Sequence, residues 1–207
     1  MKKSIRNLLV IVPMKDLDHA KSRLDSVLSS KERRLLAKLL FLRTITILEK
    51  IRKSNEYFFD IGIATKSTLI KNISQEFDVF HIQEKEKGLN QALKISYEWA
   101  VKMKYEFFSF LPADLADPDP AEILSFLQKY KETKKPLVAL CPSDDMGTNA
   151  MLFSIPTKLN FSFGEKSFSK HYNISQKFGI LPKVLPYASL RHDVDTWQDL
   201  EKIKLKR

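Results

Sequence analysis

The chain is expected to fold as an α/β domain, a mostly parallel mixed sheet with helices on both faces. Three observations point there. Short apolar runs that end at proline or a polar residue recur as NLLVIVP (7–13), YFFDIGIAT (57–65) and EFFSFL (106–111), as in strands buried on both sides. Segments of helical period stand between them, and strand–helix alternation is the pattern of right-handed crossovers in a parallel sheet. The length of 207 residues and a hydrophobic fraction of 43%, with 14 Phe and 2 Trp, suit one well-buried core and exclude a disordered chain. A single domain over 1–207 is expected.

The elements follow in order. Asn7 to Pro13 is the first strand, and a polar segment from Met14 to Ser30 leaves it. A long helix begins where Ser29 and Glu32 have capping-box spacing, with Leu35, Leu36, Leu39, Leu40, Ile47 and Ile51 at helical intervals. Tyr57 to Thr65 is the second strand, Ser67 to Glu76 a short helix, and Val79 to Gln83 a third strand. Leu89 to Met103 is helical, with Leu93, Tyr97 and Ala100 along one side; Glu106 to Leu111 is the fourth strand, closed by Pro112. Pro120 opens a helix that runs to Lys131. Leu137 to Leu140 and Ala150 to Ile155 are further strands, Phe168 to Lys177 is a helix, and Thr196 with Asp199 has capping-box spacing for a last one.

Composition narrows the function classes. Cys141 is the only cysteine, so neither an internal disulfide nor a cysteine-rich zinc site is available, and a reducing compartment is expected. His19, His81, His171 and His192 make no close pair at metal-ligand spacing. The N-terminal apolar run Leu8 to Met14 is too short for a signal-peptide core or a membrane span; a cytoplasmic protein without a membrane partner is expected. Lys and Arg outnumber Asp and Glu by 35 to 25, a net +10. That excess suits a polyanionic partner, a nucleic acid, an anionic membrane or a phosphorylated small molecule, or is simply a solvated basic surface. The basic residues are dispersed and the aromatics lie inside apolar runs, without a zinc-finger or RNA-recognition pattern.

In parallel sheets ligands bind beyond the carboxyl ends of the strands. Those ends are Pro13-Met14-Lys15, Thr65-Lys66, Gln83-Glu84 and Pro112-Ala113-Asp114. Lys15, Lys21 and Arg23 follow the first strand and are placed to hold phosphates. No Walker sequence and no GxGxxG is present. Asp193 and Asp195 form an Asp-x-Asp whose carboxylates share one face if the backbone is extended. With Asp114 they offer hard oxygen ligands that suit magnesium, or else they are a charged turn before a helix. Gly147-Thr148-Asn149 and Gly164 to Ser167 offer N–H groups and hydroxyls to an anion, or are two ordinary turns.

Six segments together resemble the 2-phospho-L-lactate guanylyltransferases of coenzyme F-420 biosynthesis, a family that includes phosphoenolpyruvate guanylyltransferases. They are PMKDLDHAKSRL (13–24), GLNQAL (88–93), LPADL (111–115), GTNAMLF (147–153), the spaced Gly164, Ser167, Phe168 and His171, and DVDTWQDL (193–200), in the family's order over nearly the whole chain. The resemblance implies a nucleotide-diphospho-sugar-transferase-like (GT-A, Rossmann-type) fold and transfer of GMP from GTP to a small phosphorylated carboxylic acid, with loss of pyrophosphate. It implies that Lys15, Lys21 and Arg23, with Asp114, carry the chemistry. Pro13, Lys15, Asn90, Pro112 and Ala113 would lie at the nucleotide, Thr148, Gly164 and Ser167, with Lys166 as an addition, at the acceptor, and Asp114, Asp193 and Asp195 at Mg2+. Partners are then GTP and the phospho-acid rather than nucleic acid; a homodimer is left open. One departure stands out: from Asp114 the chain reads DLADPDP (114–120), where the family usually has proline sooner, as in DLPL. The competing readings are another GT-A nucleotidyltransferase, such as a molybdenum-cofactor guanylyltransferase, whose glycine-rich loop is missing here, and a basic nucleic-acid-binding domain.

Overall fold

The computed structural model describes residues 6–55, 58–84, 88–132 and 134–201. Its sheet is built from β1 (Arg6–Pro13), β2 (Phe59–Thr65), β3 (Phe80–Gln83), β4 (Tyr105–Phe110), β5 (Val138–Pro142), β6 (Thr148–Ser154) and β7 (Lys183–Val184), in the order β3-β2-β1-β4-β6-β5-β7. The helices are α1 (Ser30–Ser54), α2 (Thr68–Ile73), α3 (Leu89–Lys102), α4 (Pro120–Leu127), α5 (Ser167–Lys177) and α6 (Trp197–Glu201). Tyr57, the expected first residue of the second strand, lies outside the described residues. The polar segment after β1 folds into two short 3-10 turns, Leu17–His19 and Ser22–Leu24.

β1 pairs in parallel with both β2 and β4, and β2 with β3. Side chains alternate across a strand, so β1 feeds two cores. Leu8, Val10 and Val12 pack with Phe41, Ile45 and Leu48 of α1 and with Ile123 and Phe126 of α4. Leu9 and Ile11 pack with Ala92, Leu93 and Ala100 of α3 and with Phe108 and Phe153. Burial on both faces is why these strands read as unbroken apolar runs.

Two features refine the sequence reading: where the mixed sheet turns antiparallel, and which face of α1 is buried. β6 lies between β4 and β5 and is antiparallel to both, so the parallel run ends at β4. α1 buries Ala37, Leu40, Phe41, Thr44, Ile45, Leu48 and Ile51, whereas Leu35 and Leu39 are 55% and 56% exposed. At 3.6 residues per turn those two leucines fall on the side of the helix opposite the buried stripe. The capping box of Ser29 and Glu32 is present in both directions.

The antiparallel entry of β6 has a consequence for function. Its first residues, Thr148 and Asn149, reach the same edge as the carboxyl ends of β1 and β4, since Phe110 is opposite Met151. Among the described residues, no helix is long and apolar enough to cross a membrane.

Candidate active site

A cleft of about 1170 Å3 opens along that edge. Pro13 and Lys15 after β1, Pro112, Ala113 and Asp114 after β4, Thr148 and Asn149 of β6, Gly164, Lys166 and Ser167 at the start of α5, and Asp193 and Asp195 all line it, as does Arg23.

The charged centre is built by a short non-local pairing. Leu115 and Asp193 form an antiparallel bridge; Val194 N–H donates to the Asp114 carbonyl at 3.0 Å and Ala116 N–H to the His192 carbonyl at 2.8 Å. Val194 is fully buried against Leu40 and Ala116, which anchors the Asp-x-Asp beside Asp114. The first turn of α6 closes the segment: Thr196 N–H donates to Asp199 Oδ2 at 2.7 Å and Asp199 N–H to Thr196 Oγ1 at 3.4 Å, the capping box its spacing predicted.

Lys21 enters this centre from the other side. It sits in the left-handed region at φ 54°, ψ 38°, a conformation that costs a non-glycine residue about 1–3 kcal/mol and recurs at functional sites. Its buried ammonium donates to Asp114 and, at 3.4 Å, to Asp195 Oδ1. Burial alone would lower the lysine's pKa; Asp114, Asp195 and Asp193 outweigh it, and the pKa is raised. Arg23, largely exposed, donates to Asp195 Oδ2 at 2.9 Å. Burial, then the neighbouring Asp114 and Asp195 carboxylates, pushes the Asp193 carboxyl up to about 6. Negative charge thus exceeds what one lysine balances.

This donor set is all hard oxygen, the chemistry of a divalent cation such as magnesium. Among the described residues, no three His, Cys, Asp or Glu side chains converge closely enough to hold a metal by themselves. Asp114 and Asp195 do converge on one cation, the Lys21 ammonium, with Asp193 coupled to them through its charge. Magnesium is commonly held by one or two carboxylates together with substrate phosphates, so the arrangement fits it.

Another part of the lining is rich in uncharged donors. His171, buried in α5, accepts from Ser162 N–H at Nε2 (3.0 Å) and faces Thr148 Oγ1 through Nδ1 (2.9 Å). Burial lowers its pKa to about 4, so the ring is neutral near pH 7 and its single proton is on Nδ1, donated to Thr148. The hydroxyl hydrogen of Thr148 is then free for a ligand. Asn149 Nδ2 and Ser167 Oγ are buried without a hydrogen-bond partner among the described residues. Gly164 (φ 122°) and Lys166 (φ 52°) shape the turn into α5.

Asn90 is placed differently from the expectation. It does not line the cleft. Its Oδ1 accepts from Phe163 N–H at 2.7 Å and its Nδ2 donates to the Phe163 carbonyl at 3.2 Å. The side-chain amide acts as a peptide surrogate that ties the start of α3 to the loop before Gly164. Asn149 and the strand-end residues Lys66 and Glu84, named from the sequence only as parts of a turn and of strand ends, also line the cleft, and Arg191 is a lining residue that the sequence reading did not single out. His171 stood within a spaced motif; Arg191 holds Asp144 of the β5–β6 loop at 2.8 Å, a pairing no local pattern announces.

Comparison with known proteins agrees with this architecture. The chain is 32% identical over 198 residues to a 3-phospho-D-glycerate guanylyltransferase of Colwellia psychrerythraea, covering 95% of this chain and 90% of that one. It is 28% identical over 201 residues to a phosphoenolpyruvate guanylyltransferase of Rubrobacter xylanophilus, covering 96% and 94%. In fold it is similar to a putative nucleotide-diphospho-sugar transferase from Desulfovibrio desulfuricans, with a TM-score of 0.73 at 15% identity over 94% of this chain and 85% of that one. The family model described as "Guanylyl transferase CofC like" matches residues 8–206, and the chain belongs to that family of guanylyl transferases.

Proposed function

We propose that the protein transfers GMP from GTP to the phosphate of a small phospho-acid and releases pyrophosphate. The acceptors to consider are 3-phospho-D-glycerate, phosphoenolpyruvate and 2-phospho-L-lactate. The observation that supports this most directly is the lining of the cleft. The lining joins Asp114 and Asp195, which share the Lys21 ammonium, to the uncharged donors Thr148, Asn149 and Ser167.

The acceptor phosphate is already anionic near neutral pH. Its oxygen attacks the α-phosphorus of GTP, and the bond to the β-phosphate oxygen breaks, so no protein base is required. Catalysis then rests on positioning and on neutralising two polyanions that repel each other. Lys15, Lys21 and Arg23 supply positive charge at the end of β1. Asp114 and Asp195, with the charge of Asp193 behind them, would hold magnesium. The ion, when bound, supplies charge neutralisation at the triphosphate. The hydroxyl of Thr148 donates to the acceptor, held in orientation by His171, and the Gly164–Ser167 turn offers further donors. In this reading the Asn90 clamp on Phe163 fixes the acceptor turn and does not touch the base.

The test is product formation from GTP with each of the three acids in turn, read by acid-dependent pyrophosphate release and by the mass of the guanylylated product. The relative at 32% identity makes 3-phospho-D-glycerate the first acid to try. Pyrophosphate release that none of the acids stimulates would refute the reading.

A further inference from the structure

Beyond the charged centre the cleft continues to the ends of β2 and β3. It holds there a carboxylate and an ammonium that the transfer itself does not use. Lys66 follows β2, Glu84 follows β3, and both line the cleft. Thr65 and Gln83 are register partners, and Glu84 N–H donates to the Thr65 carbonyl at 3.3 Å. The two side chains therefore leave neighbouring strands at one level, with backbones about 5 Å apart. Beside them Gly88 (φ 110°) carries no side chain, and a Cβ built there would meet nothing within 4 Å. Gly88, Leu89 and Ala92 form an open, largely apolar border to this end of the cleft.

Glu84 is half-buried. Burial pushes its carboxyl up to about 7, with the Lys66 charge acting in the opposite direction. Among the described residues its carboxylate accepts no hydrogen bond and forms no ion pair. A desolvated carboxylate of this kind is costly until a ligand supplies donors.

We propose that Glu84 and Lys66 read the base of the nucleotide, the Glu84 carboxylate accepting from N1–H and the 2-amino group of guanine while Lys66 donates to O6. The inference rests on the guanylyl-transfer reading for the identity of the nucleotide. The layout of the sheet supports it. With the triphosphate between the ends of β1 and β4, the nucleoside extends toward β2 and β3, and β3 is two strand spacings from β1, about 10 Å. Guanine presents an acceptor and two donors along one edge, which matches an ammonium beside a carboxylate. Adenine reverses the first two: its N6 amino group would face the lysine and its N1 lone pair the carboxylate. The pair would therefore select by repulsion as well as by attraction.

The experiment is calorimetric titration of the full chain with GTP, ITP and ATP, for the unmodified protein, Glu84→Gln and Lys66→Met, with thermal unfolding as the check on folding. ITP keeps O6 and N1–H and lacks the 2-amino group. The unmodified protein is expected to bind GTP at least about tenfold more tightly than ITP, the worth of one charge-assisted hydrogen bond. Glu84→Gln is expected to bring the GTP:ITP ratio close to one. Lys66→Met is expected to weaken both together and leave their ratio unchanged. If Glu84→Gln does not fold, xanthosine triphosphate on the unmodified protein serves instead, because its 2-oxo group would oppose the carboxylate and binding should be lost. An unchanged GTP:ITP ratio in Glu84→Gln, no preference for GTP over ITP in the unmodified protein, or tight binding of xanthosine triphosphate would overturn the proposal. Acid-dependent pyrophosphate release in the same samples reports separately. Its absence alongside intact GTP:ITP discrimination refutes the transfer reading, not the base reading.

Discussion

Protonation of His171 should destabilise the fold from the inside as pH falls. Both ring nitrogens are committed: Nε2 needs its lone pair for Ser162 N–H, and Nδ1–H is donated to Thr148. An imidazolium would set one N–H against another in a site where the residue is 1% exposed. The pKa falls from 6.5 to about 4. The folded pKa is thus depressed below the unfolded one. The stabilisation is complete above the unfolded pKa and is lost as pH falls toward the folded one. Working the linkage between pH 7.5 and pH 4.5 gives a loss of about 2.5 kcal/mol from this group alone. The informative variant is His171→Gln, which cannot take up the charge. Near pH 7.5 it should be less stable than the parent by about 1–3 kcal/mol, for hydrogen bonds imperfectly replaced. At pH 4.5 that gap should close by about 2.5 kcal/mol, so that the variant equals or exceeds the parent. Urea unfolding at both pH values measures this, and the other titrating groups cancel in the comparison. A gap that stays constant to within about 0.5 kcal/mol between the two pH values would refute the neutral, doubly bonded imidazole. With it would go the argument that Thr148 has a hydroxyl hydrogen to spare.

Two further outcomes follow from the lining of the cleft. Lys21→Met should depress kcat on the order of a hundredfold, with a smaller change in GTP affinity, because charge neutralisation matters more at the transition state than in the ground state; single-turnover rates and GTP titration separate the two, and an unchanged kcat would remove Lys21 from the chemistry. Thr148→Val and Ser167→Ala should mainly raise the acceptor KM, by roughly 1.5–3 kcal/mol for a lost hydrogen bond to a charged group; a loss of GTP affinity at constant acceptor KM would put these residues on the nucleotide side.

The strands and helices of this protein were legible because their causes are local. β1 and β4 are buried on both faces, and that alone makes them continuous apolar runs. The caps of α1 and α6 join residues three apart, Ser29 with Glu32 and Thr196 with Asp199. Lys15 was legible as a cleft residue for a related reason: it closely follows a buried strand, where the sheet leaves room for a ligand. Which face of α1 is buried was not legible from its leucines: they surround the helix, and packing against the sheet buries the side of Leu40 and leaves Leu35 and Leu39 exposed.

The site itself belongs to the tertiary structure. Lys21 finds its countercharges 93 and 174 residues away. Asp193 and Asp195 reach Asp114 only through the Leu115–Asp193 bridge. Asn90 was expected at the base and instead spends its amide on Phe163, 73 residues on. Thr148 reaches the cleft because β6 inserts antiparallel between β4 and β5, an order that no strand's own residues encode. Local sequence determines which segments are helix or strand and which polar groups stand at their ends, because those choices depend on neighbours a few residues apart. Which of those groups meet, and which are left without a partner for a ligand to satisfy, is decided by chain closure over tens to hundreds of residues, where burial of the whole core outweighs any local preference.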